Sequence, residues 1–359
     1  MISIIGAGPS GCYAAYLLSK AGLKTQIFED HKEIGNPVQC TGLVTSSIKD
    51  IIKIKNSAII NKINKVRICS KDKTLELNLK NSNLILDRKK FDNDIADMAI
   101  KNGTKIFLNY KFIGNKHNSI KLRYNHSKEA IVKTDYIIGA DGPLSQVAKS
   151  NNLFGKRKFM TGLQIRAKLK NDNAIEFYPS AGSFSWIVPE NSETCRIGTA
   201  SYDNPKLYLE KLLKQKNITK KNIIETQGGL IPIYDPKLNI QKNNIYLIGD
   251  AATQVKATTG GGIIQGLKAA TSLKNSIINN KDYQTLCKKE LGKDLYLHLK
   301  MKKIMDKFKE KDWNLLLHLF SNKETKNTIE QFDRDYPSRF LIKLALKEPR
   351  LLYFLKFLF

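Results

Sequence analysis

The chain has 359 residues, enough for more than one hydrophobic core, and its net charge is +27, from 60 lysines and arginines against 33 aspartates and glutamates. That charge favours a polyanionic partner such as a membrane surface or a phosphorylated substrate, but lysines spread along the whole chain are equally typical of compositional bias. The apolar runs are too short for a transmembrane helix, and a strand predicted from residue 2 leaves no room for a signal peptide.

The first eleven residues carry the clearest signal. Residues 2–5 predict a buried strand, and an apolar helix is predicted from residue 12. Between them lies the sequence Gly6-Ala7-Gly8-Pro9-Ser10-Gly11. In this pattern Gly6 permits a tight turn, Gly8 leaves room for a pyrophosphate, and Gly11 lets helix and strand pack closely. The helix N-terminus then faces the phosphates, so the pattern predicts a dinucleotide site.

An acidic residue is expected at the end of the second strand, about 20 residues after the first glycine. Residues 24–28 predict that strand, and Glu29 follows it. Its carboxylate can accept hydrogen bonds from a ribose diol, and Asp30 is the neighbouring alternative. Further along, residues 87–102 predict an amphipathic helix that ends at Gly103, and residues 105–123 predict strands.

The remaining pattern predicts a divided cofactor domain. Short strands between turn residues predict an antiparallel sheet, and a strand, glycine turn and helix pattern then returns. We therefore predict an α/β fold: a discontinuous Rossmann-type domain, an inserted antiparallel-sheet substrate domain and a helical C-terminal region. The strands predicted near residues 45–82 are compatible with the cofactor domain or with the substrate domain. The predicted boundaries are 1–158 and 243–280 for the cofactor domain, 159–242 for the sheet domain and 281–359 for the helical region.

Three motifs in order resemble the fingerprints of FAD-dependent enzymes of the para-hydroxybenzoate hydroxylase-like fold. They are the N-terminal glycine sequence, Gly139-Ala140-Asp141-Gly142 and Gly249-Asp250-Ala251. The resemblance implies FAD as the cofactor. It also implies that Asp250 meets the ribityl chain and that Asp141 and Gly142 lie near the pyrophosphate.

Within that superfamily, the chain resembles the geranylgeranyl reductase family. Cys40-Thr41-Gly42 resembles the family's segment close to the flavin. Arg88 matches the arginine at the start of a family helix, and Gly261-Gly262-Ile263 resembles the loop beside the flavin ring. A further similarity is to the family's aromatic substrate motif, carried by Phe184, Trp186, Pro189 and Gly198. Phe184 stands where the family has Tyr, so no phenol is present there.

The resemblance implies a reductase that hydrogenates isolated double bonds of geranylgeranyl chains, with hydride from reduced flavin, on archaeal-type ether phospholipids. Cys40 is the candidate catalytic residue by analogy, and a small buried hydrophobe is the alternative. Phe184 and Trp186 lie two apart in a predicted strand, so they share a face and can line a prenyl tunnel. Ordinary sheet core is the alternative for Phe184.

Two other functions share these motifs. One is an FAD-dependent monooxygenase that acts on an aromatic or quinone substrate, and the other is a flavin-bound carrier of prenyl lipids without turnover. The sequence has no second G-x-G-x-x-G, so electrons are expected from a transient donor, either a ferredoxin or a reduced nicotinamide. No nucleic-acid recognition motif is present, and no nucleic-acid partner is expected.

Residues 336–359 combine cations at four-residue spacing with an aromatic, leucine-rich end. This pattern predicts either a helix packed on the body of the protein or a peripheral membrane contact. The five cysteines are widely spaced and the histidines form no cluster, so neither disulfides nor a metal are expected. We therefore expect a cytoplasmic protein, with the inner membrane face as a site of peripheral contact.

Overall fold

The computed structural model describes residues 1–125, 127–180 and 182–358. Its strands are β1 Ile2–Ile5, β2 Thr25–Glu29, β3 Leu43–Val44, β4 Ile59–Cys69, β5 Thr74–Leu86, β6 Lys105–Leu108, β7 Tyr110–Lys116, β8 Ser119–Tyr124, β9 Lys128–Lys133, β10 Tyr136–Gly139, β11 Phe159–Lys168, β12 Ala174–Ser180, β13 Ser183–Pro189, β14 Thr194–Ser201, β15 Ile223–Pro232, β16 Gln241–Lys242 and β17 Ile245–Leu247. Its α-helices are α1 Pro9–Lys20, α2 Arg88–Lys101, α3 Gln146–Ser150, α4 Pro205–Gln215, α5 Ile263–Asn279, α6 Tyr283–Cys287, α7 Lys293–Met305, α8 Glu310–Phe320, α9 Lys323–Gln331 and α10 Leu341–Lys347.

The N-terminal strand lies in a six-stranded sheet of order β16-β17-β10-β1-β2-β6. All its pairings are parallel except that of the short β16 with β17. Helices α2 and α5 both pack against α1 beside this sheet. Strand β1 is buried on both faces, which explains why it reads as a nearly continuous apolar run. Because the strands are parallel, the loops that follow β1, β10 and β17 meet at one edge.

A second sheet has eight strands in the order β15-β11-β14-β13-β12-β4-β5-β3. Its pairings are antiparallel except between β12 and β4. Residues 43–86 thus join the strands of 159–232 in this sheet. The chain re-enters the six-stranded sheet at Gln241, two residues before the predicted boundary, where β16 folds back onto β17 across Asn243. The predicted fold class is confirmed.

The C-terminal region is helical and packs on the second sheet. Helix α6 runs through a π-helical turn at Lys288–Gly292 into α7. Leu317 of α8 lies against Leu75 and Leu77 of β5 in a buried cluster. Pro349–Leu358 forms a 3₁₀ segment, and its Phe354 packs on Phe308 with ring centroids 5.0 Å apart. Among the described residues, the helices are too short or too polar to cross a bilayer.

Candidate active site

A cavity of about 910 Å³ lies between the edge of the parallel sheet and one face of the eight-stranded sheet. Most of the sequence-predicted site residues line it: Gly6, Gly8, Pro9, Ser10, Glu29, Asp30, Cys40, Thr41, Arg88, Asp141, Gly142, Phe184, Trp186, Asp250, Gly261, Gly262 and Ile263. Five others stand outside this lining set: Gly11, Gly42, Pro189, Gly198 and Gly249. The first group is in position to contact ligands, and the second supports the wall.

The turn after β1 depends on its glycines for two different reasons. Gly6 has φ +102°, and a Cβ there would lie 2.4 Å from the Ala140 carbonyl oxygen. A Cβ on Gly11 would lie 2.1 Å from the Gly6 carbonyl oxygen, so helix α1 packs on the turn only without a side chain. At Gly8, by contrast, a Cβ would meet no heavy atom within 4 Å. Gly8 therefore borders open space, as expected where a pyrophosphate approaches the backbone.

Two helix N-termini face this cavity. Helix α1 begins after Gly8 and α5 begins after Gly262, and neither N-cap makes a side-chain hydrogen bond. The N–H groups of their first turns, which in α1 begin at Ser10 because Pro9 has none, are therefore free of a side-chain cap from the N-cap residue. Pro9 and Ser10 of α1 and Ile263 of α5 line the cavity. Free amides at a helix N-terminus bind anions and carbonyl oxygens. The two helix ends fit a ligand that has a pyrophosphate at one point and a polar ring edge at another.

Asp250 lies between these two helix ends. It follows β17 on a 3₁₀ turn, Gly249–Ala252, and lines the cavity. Burial raises the pKa of its carboxyl to about 6, against which Arg88 acts in the lowering direction. A buried carboxylate of this kind gains from hydroxyl donors, because burial removes its water. The ribityl hydroxyls of FAD are donors of that kind, so the site fits FAD.

The acidic residues on the opposite side of the glycine turn already have partners. Glu29 accepts a hydrogen bond from the Ala7 amide at 2.6 Å, and its other oxygen lies 2.5 Å from Nδ1 of His31. Asp30 pairs with Lys111 at 3.3 Å. Glu29 thus fastens β2 to the glycine turn while still lining the cavity, which leaves it in position for a ribose.

Asp141 fastens the turn after β10. Its carboxylate accepts hydrogen bonds from the Ser145 hydroxyl at 2.6 Å and from the Val147 amide at 3.0 Å. Burial raises the pKa of this carboxyl, and these two hydrogen bonds act in the opposite direction. The Asp141 side chain therefore holds the first turn of α3, whose N-cap is Ser145, and Gly142, with φ +76°, turns the chain along the cavity.

Cys40 and Arg88 come together beside Asp250. Arg88, the first residue of α2, forms a bidentate ion pair with Asp92, in which Nε and Nη2 donate to the two carboxylate oxygens at 3.0 and 2.8 Å. Arg88 also interacts with the Cys40 side chain. Burial alone would lower the pKa of this guanidinium, but the charge of Asp92 and the contact with Cys40 outweigh it and raise the pKa. The Cys40 sulfur accepts a hydrogen bond from the Gly42 amide at 3.3 Å.

The sheet side of the cavity is mostly apolar. Its side chains come from several strands of the eight-stranded sheet and include Leu43, Val66, Ile68, Ile175, Phe177, Phe184, Trp186 and Val188. Phe184 stacks on Phe177 with centroids 5.4 Å apart. Trp186 lies directly opposite Gly198, where a Cβ would fall 2.4 Å from the indole ring. Gly198 therefore provides the space that the indole occupies, which explains the pairing of these two residues in the sequence motif.

A buried charged cluster beside the glycine-rich loop was missed by the sequence interpretation. Lys256 forms an ion pair with Asp335, and both side chains are almost fully buried. Arg334 binds the amide oxygen of Asn83, and both Lys256 and Arg334 line the cavity. The C-terminal region thus completes the cavity wall. The charged triplet Asp333-Arg334-Asp335 inside an otherwise helical pattern is the one signal that could have indicated it.

Comparison with known proteins agrees with this geometry. A sequence-family profile described as an FAD binding domain matches residues 1–206, more than half of the chain. The chain belongs to this FAD-binding family. It is 27% identical to digeranylgeranylglycerophospholipid reductase 3 of Methanosphaera stadtmanae over 99% of this chain and 97% of that one. It is also 27% identical to digeranylgeranylglycerophospholipid reductase of Methanocaldococcus jannaschii, with the same coverage.

Solved structures share the fold of this FAD-binding family member. A geranylgeranyl bacteriochlorophyll reductase-like protein from Thermoplasma acidophilum superposes with a TM-score of 0.85 at 23% identity, covering 100% of this chain and 98% of that one. The flavin-dependent halogenase CmlS superposes at 0.70 with 14% identity, covering 98% and 77%. The protein is an FAD-dependent oxidoreductase, and its resemblance to geranylgeranyl reductases is confirmed.

Proposed function

We propose that the protein hydrogenates isolated double bonds of geranylgeranyl chains on archaeal-type ether phospholipids, with hydride from reduced flavin. The observation that carries this proposal is the cavity itself. One half presents glycine turns, two uncapped helix N-termini and Asp250, and the other half presents an aromatic and aliphatic sheet face. A cofactor and a long apolar chain need such adjoining surfaces. The two curated reductases described above support the choice of substrate.

An isolated alkene is electron-rich and has no polar group that would activate it. Reduced FAD supplies the hydride when it is bound. The chain's own residues then have to orient the alkene, exclude water and provide a proton. Phe177, Phe184 and Trp186 form the aromatic surface for orientation. Cys40 is the proposed proton source, because its thiol lines the cavity within reach of Arg88.

The test is an anaerobic single-turnover assay. The purified protein is loaded with FAD, chemically reduced under argon and given a digeranylgeranyl glycerophospholipid in detergent. Mass spectrometry then reads the lipid. The proposal predicts one added hydrogen pair for each reduced double bond. Unchanged lipid, with flavin that reoxidises only in air, would contradict the reductase function for this substrate. Hydroxylation of an added aromatic or quinone compound in air would then favour a monooxygenase.

The proposed role of Cys40 has a matched control in the same chain. Cys69 at the end of β4 is also half-buried but does not belong to the cavity lining. We expect Cys40→Ala to lower the single-turnover rate by at least about tenfold, within the range for losing a positioned proton donor. Cys69→Ala is expected to leave the rate unchanged. If Cys40→Ala reacts as fast as Cys69→Ala and the wild type, the proton comes from another group.

The electron donor and the membrane contact belong to the same proposal. A ferredoxin or a reduced nicotinamide is the expected donor. For the membrane, Ile342 and Leu346 of α10 lie one turn apart and are 72% and 77% exposed, while Leu344 between them is buried. Leu352 and Leu355 of the following 3₁₀ segment are exposed as well. Lysines border these residues in the sequence, and the chain is strongly basic, so an anionic lipid surface is the proposed partner.

Vesicle cosedimentation tests the membrane contact. Vesicles of phosphatidylglycerol and phosphatidylcholine are expected to bind the protein, with binding that weakens in high salt. Ile342→Glu with Leu346→Glu is expected to reduce the bound fraction by at least about tenfold, since two apolar anchors are lost. Ile131→Glu is the control, because Ile131 on β9 is 74% exposed in a different sheet. Equal losses in both variants would leave only a nonspecific charge effect and contradict the proposed surface.

A further inference from the structure

The segment that carries Cys40 is held from the substrate side of the cavity. Arg196 of β14 donates a hydrogen bond from Nη1 to the Thr41 carbonyl at 2.6 Å and to the Leu86 carbonyl at 3.2 Å. Its Nε donates to Glu190 at 2.7 Å. Arg196 is only 9% exposed. One buried guanidinium thus holds two carbonyl groups, one beside Cys40 and the other two residues before Arg88.

The two segments are also bonded to each other. The Leu86 amide donates to the Gly42 carbonyl at 2.9 Å. Gly42 has φ +69°, and a Cβ there would lie 2.5 Å from the Leu86 carbonyl and 2.9 Å from Nη1 of Arg196. The glycine is therefore required so that Arg196 can reach both carbonyls. This explains a sequence-predicted residue that lies outside the cavity lining.

A second contact reaches the same segment from β11. The Thr41 hydroxyl donates to Oε1 of Gln164 at 2.7 Å, and the same oxygen accepts the Trp186 indole N–H at 3.0 Å. The Gln164 amide group is fixed from its other end, because its nitrogen donates to Gln227 at 2.7 Å. The indole in the substrate wall and the hydroxyl next to Cys40 therefore share one acceptor.

We propose that Arg196 and Gln164 are positioning residues that set the Cys40–Gly42 segment and Arg88 against the substrate-binding sheet. Arg196 fixes the backbone of both segments, and Gln164 ties the Thr41 side chain to Trp186. A charged hydrogen bond to a buried carbonyl is among the stronger bonds in a protein, and an unpaired carbonyl there is costly. The relevance of this arrangement to catalysis rests on the proposed function, but the arrangement itself does not.

The test uses amide hydrogen exchange, which does not depend on any activity. The reporters are the amides of Gly42 and Leu86, both of which donate within the held segments. Arg196→Met removes the bonds to both carbonyls, and we expect it to speed the exchange of both amides by at least about tenfold, which is the effect of losing even one charged hydrogen bond. Exchange in the core of α1 is expected to remain unchanged. Thr41→Val removes only the bond to Gln164 and should produce a smaller acceleration at Gly42.

Arg166→Met is the matched control. Arg166 also pairs with Glu190, at 2.6 Å, but its side chain is 42% exposed and it makes none of these bonds to Thr41 or Leu86. Exchange at Gly42 and Leu86 should stay at the wild-type rate in this variant. Acceleration confined to Arg196→Met and Thr41→Val supports the proposal. Wild-type exchange in both, or equal acceleration throughout the chain, overturns it.

Two further readouts keep the outcomes distinguishable. If Arg196→Met does not fold, the Thr41→Val variant decides. Faster amide exchange confined to Gly42 in that variant supports the proposal, and exchange at the wild-type rate overturns it. With the prenyl lipid as substrate, Arg196→Lys is expected to lower kcat with KM unchanged, since a positioning residue acts in the reacting complex. If exchange at Gly42 and Leu86 accelerates as expected but no lipid is reduced, the positioning role stands and the proposed function is wrong.

Discussion

The two halves of the cavity wall are built from different parts of the chain. On the cofactor side the wall consists largely of backbone at Gly6, Gly8 and Gly262, and its shape follows from turns and helix ends. On the substrate side it consists of large side chains such as Phe184 and Trp186, supported by the strands behind them. At Gly6 this backbone wall has no room for a Cβ, and at Gly8 an added Cβ would enter the open space of the cavity, whereas a side-chain wall can adjust its shape. We therefore expect substitutions on the cofactor side to cause large losses of stability or FAD affinity, and substitutions on the substrate side to cause smaller losses.

The largest effect is expected at Gly11. Gly11→Ala would place a Cβ 2.1 Å from the Gly6 carbonyl, and neither backbone segment can move without separating α1 from β1. We expect a loss of more than about 3 kcal/mol in unfolding free energy, beyond the usual cost of overpacking, measured by denaturant titration. Gly8→Ala is the comparison, because its Cβ meets open space. It should keep the apoprotein stable and weaken FAD binding by at least about tenfold.

The next largest effect concerns the buried pair of Lys256 and Asp335. Lys256→Met leaves the Asp335 carboxylate buried without its partner, which costs about 3–5 kcal/mol in similar cases. The pKa of Asp335 is held low mainly by Lys256 and Arg334 against the effect of burial, so it should rise in the variant. Thermal unfolding of Lys256→Met and of the double variant with Asp335→Asn checks this. A double variant that is no more stable than the single one would point to packing rather than charge.

Asp250→Asn separates cofactor binding from stability. Burial raises the pKa of Asp250 from 3.8 to about 6, so ionisation at neutral pH opposes folding of the apoprotein by up to about 3 kcal/mol. We expect the variant to be more stable than the wild type above about pH 6. The gain should shrink as the pH falls and disappear below about pH 4, where the carboxyl is protonated in both states.

FAD affinity should change in the opposite direction. An amide is a weaker acceptor than a carboxylate for ribityl hydroxyls, so Asp250→Asn should bind FAD at least about tenfold more weakly. Titration of flavin fluorescence measures this. Unchanged affinity would remove Asp250 from the cofactor site, and a stability gain that persists at pH 3.5 would show that charge burial is not its cause.

The smallest effect is expected on the substrate side. Gly198→Ala places a Cβ 2.4 Å from the Trp186 ring and 2.9 Å from the Leu163 carbonyl oxygen, so the closest neighbour is a side chain and the backbone contact is the longer one. We expect a loss of about 1–2 kcal/mol in stability and a raised KM for the prenyl lipid. Adding Trp186→Leu should restore part of the stability, because it removes the closer contact and leaves the one with the Leu163 carbonyl. If Gly198→Ala is as destabilising as Gly11→Ala, the contrast between the two halves of the wall is wrong.

The sequence by itself determined the FAD cofactor and the segments whose turns line the cofactor side of the cavity. Gly6, Glu29, Asp141 and Asp250 each lie at or just beyond the carboxyl end of a parallel strand, and such local patterns report the conformation of a few neighbouring residues. Because the strands are parallel, those loops necessarily meet at one edge. The motifs and the cofactor were predictable for this reason, and helix α2 was found at Arg88–Lys101, within the predicted 87–102.

The tertiary structure decided how distant segments complete the cavity. Lys256 and Asp335 are separated by most of the C-terminal helices, and Arg196 reaches Thr41 from a strand far along the chain. No periodicity encodes such contacts, because they depend on the pairing of β4 with β12 and on where the C-terminal helices pack. A charged residue in the sequence looks the same whether solvated or buried. Only folding brings it to its partner and gives it a role in the cavity wall.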